Sequence, residues 1–543
     1  MAKSTNNNNY LVQGTILAFS SIVSRFIGML YRVPLTNIIG DTGMGYYSSA
    51  YELYNLALIL SSYSIPVAVS KLVSGMESQK QYRNAHRVFL TALKIAAAVG
   101  LLAAAAVYLL ADAWAKLVHN LPVAIPLRVL APTIFVFAVM GVFRGYFQGK
   151  RTMVPTALSQ LVEQIVHAVV SVAAAYQLMQ LHNASVDMEA YGAAGGTLGA
   201  LVGAVVAFLM LLGIYGMNYS FIQKKVRKDR TGVSDSTAEI SRLFVMTVVP
   251  IILSQTVYQL SGTIDNAVFG QIMVFQGKSE EETSLLWGIY ANKYRMLTNL
   301  PVAIATALGT SIVPALANTW AVGDDDEVRE KIASSVRFNM LLAIPSAVGL
   351  GVLAEPVISL LFRSTEIELS ARLLVVGSVA VVFFAYSTLT NGILQGINKM
   401  KLPVYHAAIS LVLHVACLAL MLMVFRLDAY GLVLGNVLYA FCVCVLNWRA
   451  IAKYADYRQE FRNTFLMPAL CAAVMGAVAY LVYHGLYQAT RHNTISVILA
   501  MSVAVLCYAL LLVVTRTVSE EELLGFPKGT ALVRLLRRTR LLH

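Results

Sequence analysis

Long apolar runs, each about one membrane crossing in length, alternate along this chain with short connections that hold most of its charge. A helix needs about 20 apolar residues to cross roughly 30 Å of hydrocarbon. Runs of that kind lie at residues 11–33, 44–70, 88–110, 124–146, 154–180 and 191–221. A second group follows at 243–270, 284–317, 335–361, 371–397, 402–425 and 429–448, and two more at 464–487 and 493–515. The pattern predicts an all-α polytopic membrane protein with fourteen transmembrane helices.

The placement of charge gives the sidedness. Lys80, Arg83 and Arg87 share one set of connections with Lys150-Arg151 and the cluster Lys224-Lys225-Arg227-Lys228-Arg230. Lys399, Lys401, Arg449, Lys453, Arg458 and Arg462 fall on the same side. Basic residues in short loops stay in the cytoplasm, so both termini are expected there. The opposite connections are short; the longest, near 271–283, carries Lys278-Ser279-Glu280-Glu281-Glu282. The Asn-rich start precedes an apolar run that contains Arg25 and no small-residue cleavage site, which reads as a retained first span.

Composition agrees. Of 543 residues, 58% are hydrophobic and only 13% charged, against about 25% charged in soluble domains. Too little polar surface remains to cover such a chain in water. The net charge of +13 does not point to nucleic acid, because the basic residues punctuate apolar runs instead of covering one soluble face. Cys417, Cys442, Cys444, Cys471 and Cys507 all lie within apolar runs, without a second metal-ligand pair beside the Cys442/Cys444 spacing.

The chain also repeats itself. Gly145-Tyr146-Phe147-Gln148-Gly149 returns as Gly392-Ile393-Leu394-Gln395-Gly396, and in both copies a basic cluster and then Pro155 or Pro403 opens the next run. Tyr191-Gly192 and Gly196 match Tyr430-Gly431 and Gly435, while Gly45, Tyr47 and Tyr51 match Gly288, Tyr290 and Tyr294. Six runs separate equivalent positions, so the copies are parallel repeats, a symmetry that transporters use around a central cavity. The expected divisions are 1–230 and 231–462 as two six-helix lobes, 463–515 as two additional helices and 516–543 as a basic tail. That tail suits an amphipathic helix on the anionic inner leaflet, or an ordinary cytoplasmic extension. The motif residues Gly145, Gln148, Gly149, Pro155, Gly392, Gln395, Gly396 and Pro403 read as structural hinges or caps, since Gly relieves sterics at a helix end and Pro fits a first turn.

Charges inside the runs demand a reason, because an ion at the bilayer centre costs at least about 2.5–3.5 kcal/mol. Arg25, Glu52, Glu163, Asp265, Lys293, Arg295 and Glu355 are such residues. Arg25, Lys293 and Arg295, with Asn292, suit an anionic head group such as a diphosphate; the alternative is pairing with Glu52 or Asp265 as locks between helices. Tyr47, Tyr51 and Tyr54 share one helical face beside Asn55, which suits stacking on a sugar and equally suits packing between helices. Glu163 and His167, four residues apart, fit proton exchange or a buried hydrogen bond. No HExxH, GxSxG or phosphate-binding loop occurs in the sequence. The pattern predicts no enzyme, no metal and no cofactor, and it leaves coupling to the membrane potential or a monovalent ion open.

In Ser24-Arg25-Phe26-Ile27-Gly28 and Tyr51-Glu52-Leu53-Tyr54-Asn55 the chain resembles the polysaccharide-biosynthesis exporters, in particular their lipid II flippase and stage V sporulation protein B branch. The likeness continues through Tyr294–Pro301, Gly309-Thr310-Ser311, both GxxQG motifs and Glu521–Gly529. It implies a MATE-like fold of two six-helix lobes plus two helices in the bacterial cytoplasmic membrane. It further implies transport of an undecaprenyl-diphosphate-linked saccharide, with bilayer lipid as the other partner and no nucleic acid. By that likeness the family's first-helix arginine corresponds to Arg25 and its eighth-helix arginine to Arg295. The position of another family arginine is taken here by Glu52, Tyr54 and Asn55. A cation antiporter of the same fold, or a membrane glycosyltransferase or polymerase, is the alternative.

Overall fold

Apolar side chains that face lipid leave the backbone no water to bond, so each crossing must satisfy its own amides as a helix. The computed structural model describes residues 16–17, 19–231, 235–363 and 366–518, and among them every regular element is helical. The Asn-rich start and nearly all of the basic tail lie outside the described residues.

The first elements are α1 (residues 19–30), α2 (Arg32–Leu58), α3 (Ile65–Ser78), α4 (Tyr82–Leu109) and α5 (Ala111–Leu117). They lead to α6 (Ala124–Gly149), α7 (Val154–Leu181), α8 (Met188–Arg227), α9 (Thr237–Phe275) and α10 (Glu280–Ile289). After the π-helical turn Tyr290–Tyr294 come α11 (Arg295–Val322), α12 (Asp325–Val352), α13 (Ala354–Leu361), α14 (Ile367–Gly377) and α15 (Ala380–Gly396). The last are α16 (Lys401–Met423), α17 (Asp428–Ala455), α18 (Met467–Thr490) and α19 (Asn493–Val514). Among the described residues eleven helical stretches are long and apolar enough to cross a bilayer, or twelve if α14 and α15, bent by 48° at a short break, count as one. The chain is a multi-pass membrane protein.

The helices run further than the apolar pattern does. Residues 34–43, expected as a connection, are helical on both sides of a single break at Gly40 (φ 71°, ψ −179°), a backbone conformation suited to glycine. Helix α8 has 40 residues and ends on Lys224, Lys225 and Arg227, where cations complement the helix dipole. Helix α9 begins with a capping box: Ser236 Oγ accepts from the Glu239 amide at 3.1 Å, and Glu239 Oε2 accepts from the Ser236 amide at 2.7 Å. The run 335–361 is divided between α12 and α13.

The contacts divide the chain into two compact units, Met1–Ile289 and Tyr290–His543. In the first, α10 packs on α2, and α9 on α2, α3 and α4. Gly195, Gly199 and Gly203, one helical turn apart, bring α8 against the backbone of α7 at Ala174, His167 and Glu163, the small-residue packing that membrane helices favour. Helices α2 and α10 cross closely at two glycines. Gly45 lies under the Ser284 carbonyl and Gly288 under the Asp41 carbonyl.

In the second unit α11, α12, α15 and α17 enclose Leu316, Ile332, Met340, Leu389, Ile393 and Ile451. Helices α18 and α19 pair with each other, and α18 packs on α12. The Tyr508 hydroxyl donates to the Leu341 carbonyl at 3.1 Å. Leu102, Leu109, Val412, Leu481 and Leu506 remain largely exposed, the surface that lipid covers.

Candidate functional site

The polar groups of the first unit collect where α1 and α2 lie along α7. Ser21 Oγ donates to Gln160 Oε1 at 3.2 Å, and Gly28 leaves room for the Gln164 side chain. Arg25, on the same helix, is exposed and makes no ion pair or hydrogen bond among the described residues.

Deeper in the unit, Arg144 of α6 meets Glu163 of α7, Nη2 to Oε2 at 2.7 Å, with the two side chains only 10% and 9% exposed. Arg144 Nε also donates to Ser159 Oγ at 3.0 Å, and Gln164 Nε2 to Glu163 Oε1 at 3.4 Å. These bonds satisfy charges that burial would otherwise penalise severely. A cavity of about 150 Å³ beside them is lined by Arg144, Gln148, Gln160 and Tyr63.

His167, one turn from Glu163, turns to other partners. Its Nε2 lies 3.2 Å from the Tyr31 hydroxyl and 3.4 Å from that of Tyr51, and the Tyr31 and Tyr47 hydroxyls are 2.6 Å apart. The tyrosine stripe therefore packs inside the unit: Tyr47 and Tyr54 are buried, and only Tyr51 and Asn55 keep partial exposure. Arg32 places its guanidinium 5.9 Å from the Tyr47 ring centre, a cation–π distance. Glu52 is buried at the contact of α2 with α9, where Gly262 makes space for its carboxylate and Thr263 Oγ1 donates to the Glu52 carbonyl at 3.4 Å. Asp265, buried on α9, stands next to Asn266, whose amide bonds Ser49.

In the second unit Asn292 and Lys293 occupy the π-helical turn, an irregularity often found at functional sites. Lys293 is 0% exposed; its Nζ donates to Ser370 Oγ at 3.3 Å and lies 5.6 Å from the Phe362 ring centre. It cannot touch a solute in this conformation. Arg295 is half-buried, with its guanidinium 5.8 Å from the Tyr290 ring centre.

Both GxxQG motifs mark close helix crossings. Gly145 and Gly149 lie against Pro66, Val69 and Val73 of α3, and Gly392 and Gly396 against Gly309 and Leu316 of α11. The left-handed residues just beyond are Arg151 and Asn398. Pro155 and Pro403 stand in the first turns of α7 and α16, where their missing amides cost nothing. Gln148 reaches Thr156 at 3.5 Å. Beyond the first motif, the Lys150 ammonium lies 4.0 Å from Glu77 and 4.5 Å from the Tyr146 ring centre. Burial, added to by Lys225 and opposed by Glu77, pushes the Lys150 ammonium down to about 8.

The sequence pattern passed over Arg144 and Arg32. Arg144 was detectable by the rule that singles out Arg25, a charge inside an apolar run, but it sits where that run meets the Lys150-Arg151 cluster. Among the described residues no three His, Cys, Asp or Glu side chains converge as metal ligands.

Comparison with known proteins gives this geometry a family. Residues 11–320 match the family described as polysaccharide biosynthesis protein, and residues 293–420 match the family described as MatE. The chain is 27% identical to the lipid II flippase MurJ of Bacillus subtilis (strain 168), over 87% of this chain and 88% of that protein. It is 24% identical to stage V sporulation protein B of the same organism, over 97% and 98% of the two chains. Among solved structures, lipid II flippase MurJ in an inward closed conformation superposes with a TM-score of 0.67 at 14% identity, covering 92% of this chain and 98% of that one. An inward-facing multidrug resistance MATE family transporter of the MOP superfamily gives 0.62 at 14% identity, covering 82% and 99%. The shared fold is MATE-like.

Proposed function

The chain belongs to the polysaccharide biosynthesis protein family, and from that premise we propose that it flips an undecaprenyl-diphosphate-linked saccharide across the bacterial cytoplasmic membrane by alternating access. Lipid II or a related cell-wall or polysaccharide precursor is the substrate. The observation that carries this reading is Arg25: an accessible guanidinium on α1 without a partner among the described residues, beside the polar face of α7. A diphosphate accepts from such a planar fork in bidentate fashion. Arg144 is already neutralised by Glu163, whereas Arg25 has no ion pair among the described residues.

In the first unit Tyr51 and Asn55, both partly exposed, serve the head group together with Arg25; in the second unit Arg295 is a further cation for it, while Asn292 and Lys293, 1% and 0% exposed, act from within and not by contact. Tyr54 supports the site from its buried position. The polyprenyl tail stays in lipid, since drawing it into water exposes many methylenes. No bond is broken, so the protein is a translocase and not an enzyme. Glu52, Asp265, Glu163 and His167 serve internal pairing or coupling. The membrane potential supplies about 2.3 kcal/mol per charge at 100 mV, or a monovalent ion does.

This reading takes fourteen crossings. Division of the long Phe19–Ser78 stretch at Gly40, and inclusion of α9, supplement the twelve supported by length and hydropathy. It places two parallel six-helix lobes at 1–230 and 231–462, two added helices at 463–515 and the basic tail at 516–543. Both termini lie in the cytoplasm, as the basic connections favour.

The match to the MatE description over residues 293–420 favours one other reading, a multidrug cation antiporter. Buried Glu52 and Asp265 would then bind the cation. Proteoliposomes loaded in parallel with lipid-linked saccharides and a cationic dye separate the two, with and without an ion gradient. Leaflet exchange of the saccharide without dye efflux is expected; dye efflux alone would establish the antiporter.

A further inference from the structure

A further opening lies within the second unit, a cleft of about 700 Å³ between α13, α14 and the ends of α12, α17 and α18. It sits at the end of these helices remote from Lys399, Lys401 and Lys453, hence on the outer face in the orientation proposed above. Its volume is that of a small-molecule site.

One wall is aromatic. Tyr480, Tyr483 and Tyr487 stand three and four residues apart on α18 and share a face. The rings of Tyr483 and Tyr487 are 12° from parallel with centres 5.7 Å apart. The stripe descends about 10 Å along the helix, comparable to the length of a disaccharide. The wall is held in place: the Tyr483 hydroxyl donates to Asn493 Oδ1 at 3.0 Å, and Asn493 Nδ2 donates to the Pro356 carbonyl at 3.1 Å. These bonds join α18, α19 and α13, so the platform exists before a ligand arrives.

The opposite wall carries Glu355, Glu368 and Arg372. Arg372 pairs with Glu368. Glu355 is exposed and has no ion pair or hydrogen bond among the described residues. The three side chains leave one net negative charge, which repels a diphosphate. A carboxylate accepts several hydroxyl groups, and a flat ring face suits the C–H face of a pyranose. Exposed Val375 and Val376 line the same cleft, so an occupant that keeps one end in lipid fits.

We propose that this cleft binds the sugar rings of the lipid-linked saccharide once it has reached the outer side, as an exit subsite separate from the cationic head-group site. The proposal rests on the transport reading above. Saturation-transfer NMR on the full protein in lipid nanodiscs tests it, with chitobiose, cellobiose and maltose as phosphate-free probes. Transfer to at least one disaccharide is expected, weakened about fivefold by Tyr487→Leu and by Glu355→Gln and kept by Tyr487→Phe. Both positions are exposed, so these variants leave the fold intact.

Equal transfer in the wild type and the variants, or none to any disaccharide, overturns the subsite and leaves the tyrosines as an interfacial belt. Transfer to glycerophosphoethanolamine alone, abolished by Glu355→Gln, overturns it in favour of a phospholipid head group. Flipping by the same preparation is followed in parallel. Flipping without disaccharide binding defeats the subsite alone, whereas binding without flipping upholds a sugar-binding cleft and defeats the transport reading.

Discussion

Arg144 stands immediately before the glycine of the first GxxQG motif, and Asn391 holds the same place before the second. From these equivalent positions the two units build different interiors. In the first, Arg144 meets Glu163 as a buried ion pair. In the second, Asn447 Nδ2 donates to Asn391 Oδ1 and to Thr390 Oγ1, each at 2.9 Å, and His406 Nδ1 lies 2.7 Å from Asn447 Oδ1. His167 is held by tyrosine hydroxyls, while His414 lies 2.8 Å from the Gly435 carbonyl. A neutral amide network thus fills a place where the first unit keeps full charges, so the scaffold itself does not require them. Buried pairs are weak contributors to stability, so the first unit's pair calls for another reason, and the transport reading proposed above supplies one in an anionic substrate.

The widest consequence concerns that pair. Glu163→Leu strands the Arg144 guanidinium and is expected to cost about 3–5 kcal/mol, whereas Arg144→Leu/Glu163→Leu recovers most of the loss. Thermal unfolding in nanodiscs measures both. A double variant as unstable as the single one would break the contrast between the units. In the second unit Asn447→Ala removes neutral hydrogen bonds and is expected to cost about 1–3 kcal/mol. A loss equal to that of Glu163→Leu in the same unfolding series would erase the distinction.

A smaller effect sharpens the comparison just beyond the motifs, where the place of Lys150 in one unit is taken by Ile397 in the other. Lys150, mainly through burial, titrates near 8, below the usual range for lysine. The folded protein therefore sheds this proton before the unfolded chain does. Its contribution to stability is present above the ordinary lysine range and is lost as pH falls through about 8. Acylation of Lys150, followed by peptide mass spectrometry, should be half-maximal near pH 8. A midpoint above 10 would show that the ammonium is not desolvated.

Much of the architecture was legible because lipid imposes a simple rule: an apolar run of sufficient length becomes a helix. The boundaries were less so. Gly40 gives no hydropathy signal, and the break it makes lies inside a stretch read as a connection. The polar extensions of α8 and α9 are helical because dipole-complementing lysines and a capping box support them where hydropathy fails. Arg25 could be read from its position in the chain, since a lone cation in the middle of an apolar run has few explanations. Glu163 and His167 could be recognised as neighbours on one face, but their partners come from α6 and from the junction of α1 and α2. Helical spacing cannot supply contacts between segments so far apart in sequence. The aromatic stripe of α18 carried no such cue, because Tyr480, Tyr483 and Tyr487 become a wall only when α13 and α14 stand opposite.

The central claim is that an accessible arginine on α1 receives the anionic head group. Initial rates of lipid-linked saccharide flipping in proteoliposomes, compared between the wild type and Arg25→Ala at equal insertion, test it most directly. The account predicts a fall of about tenfold or more, the loss of one charged hydrogen-bonding contact, with unfolding temperature unchanged because Arg25 has no internal bond among the described residues. Undiminished flipping by Arg25→Ala would contradict it.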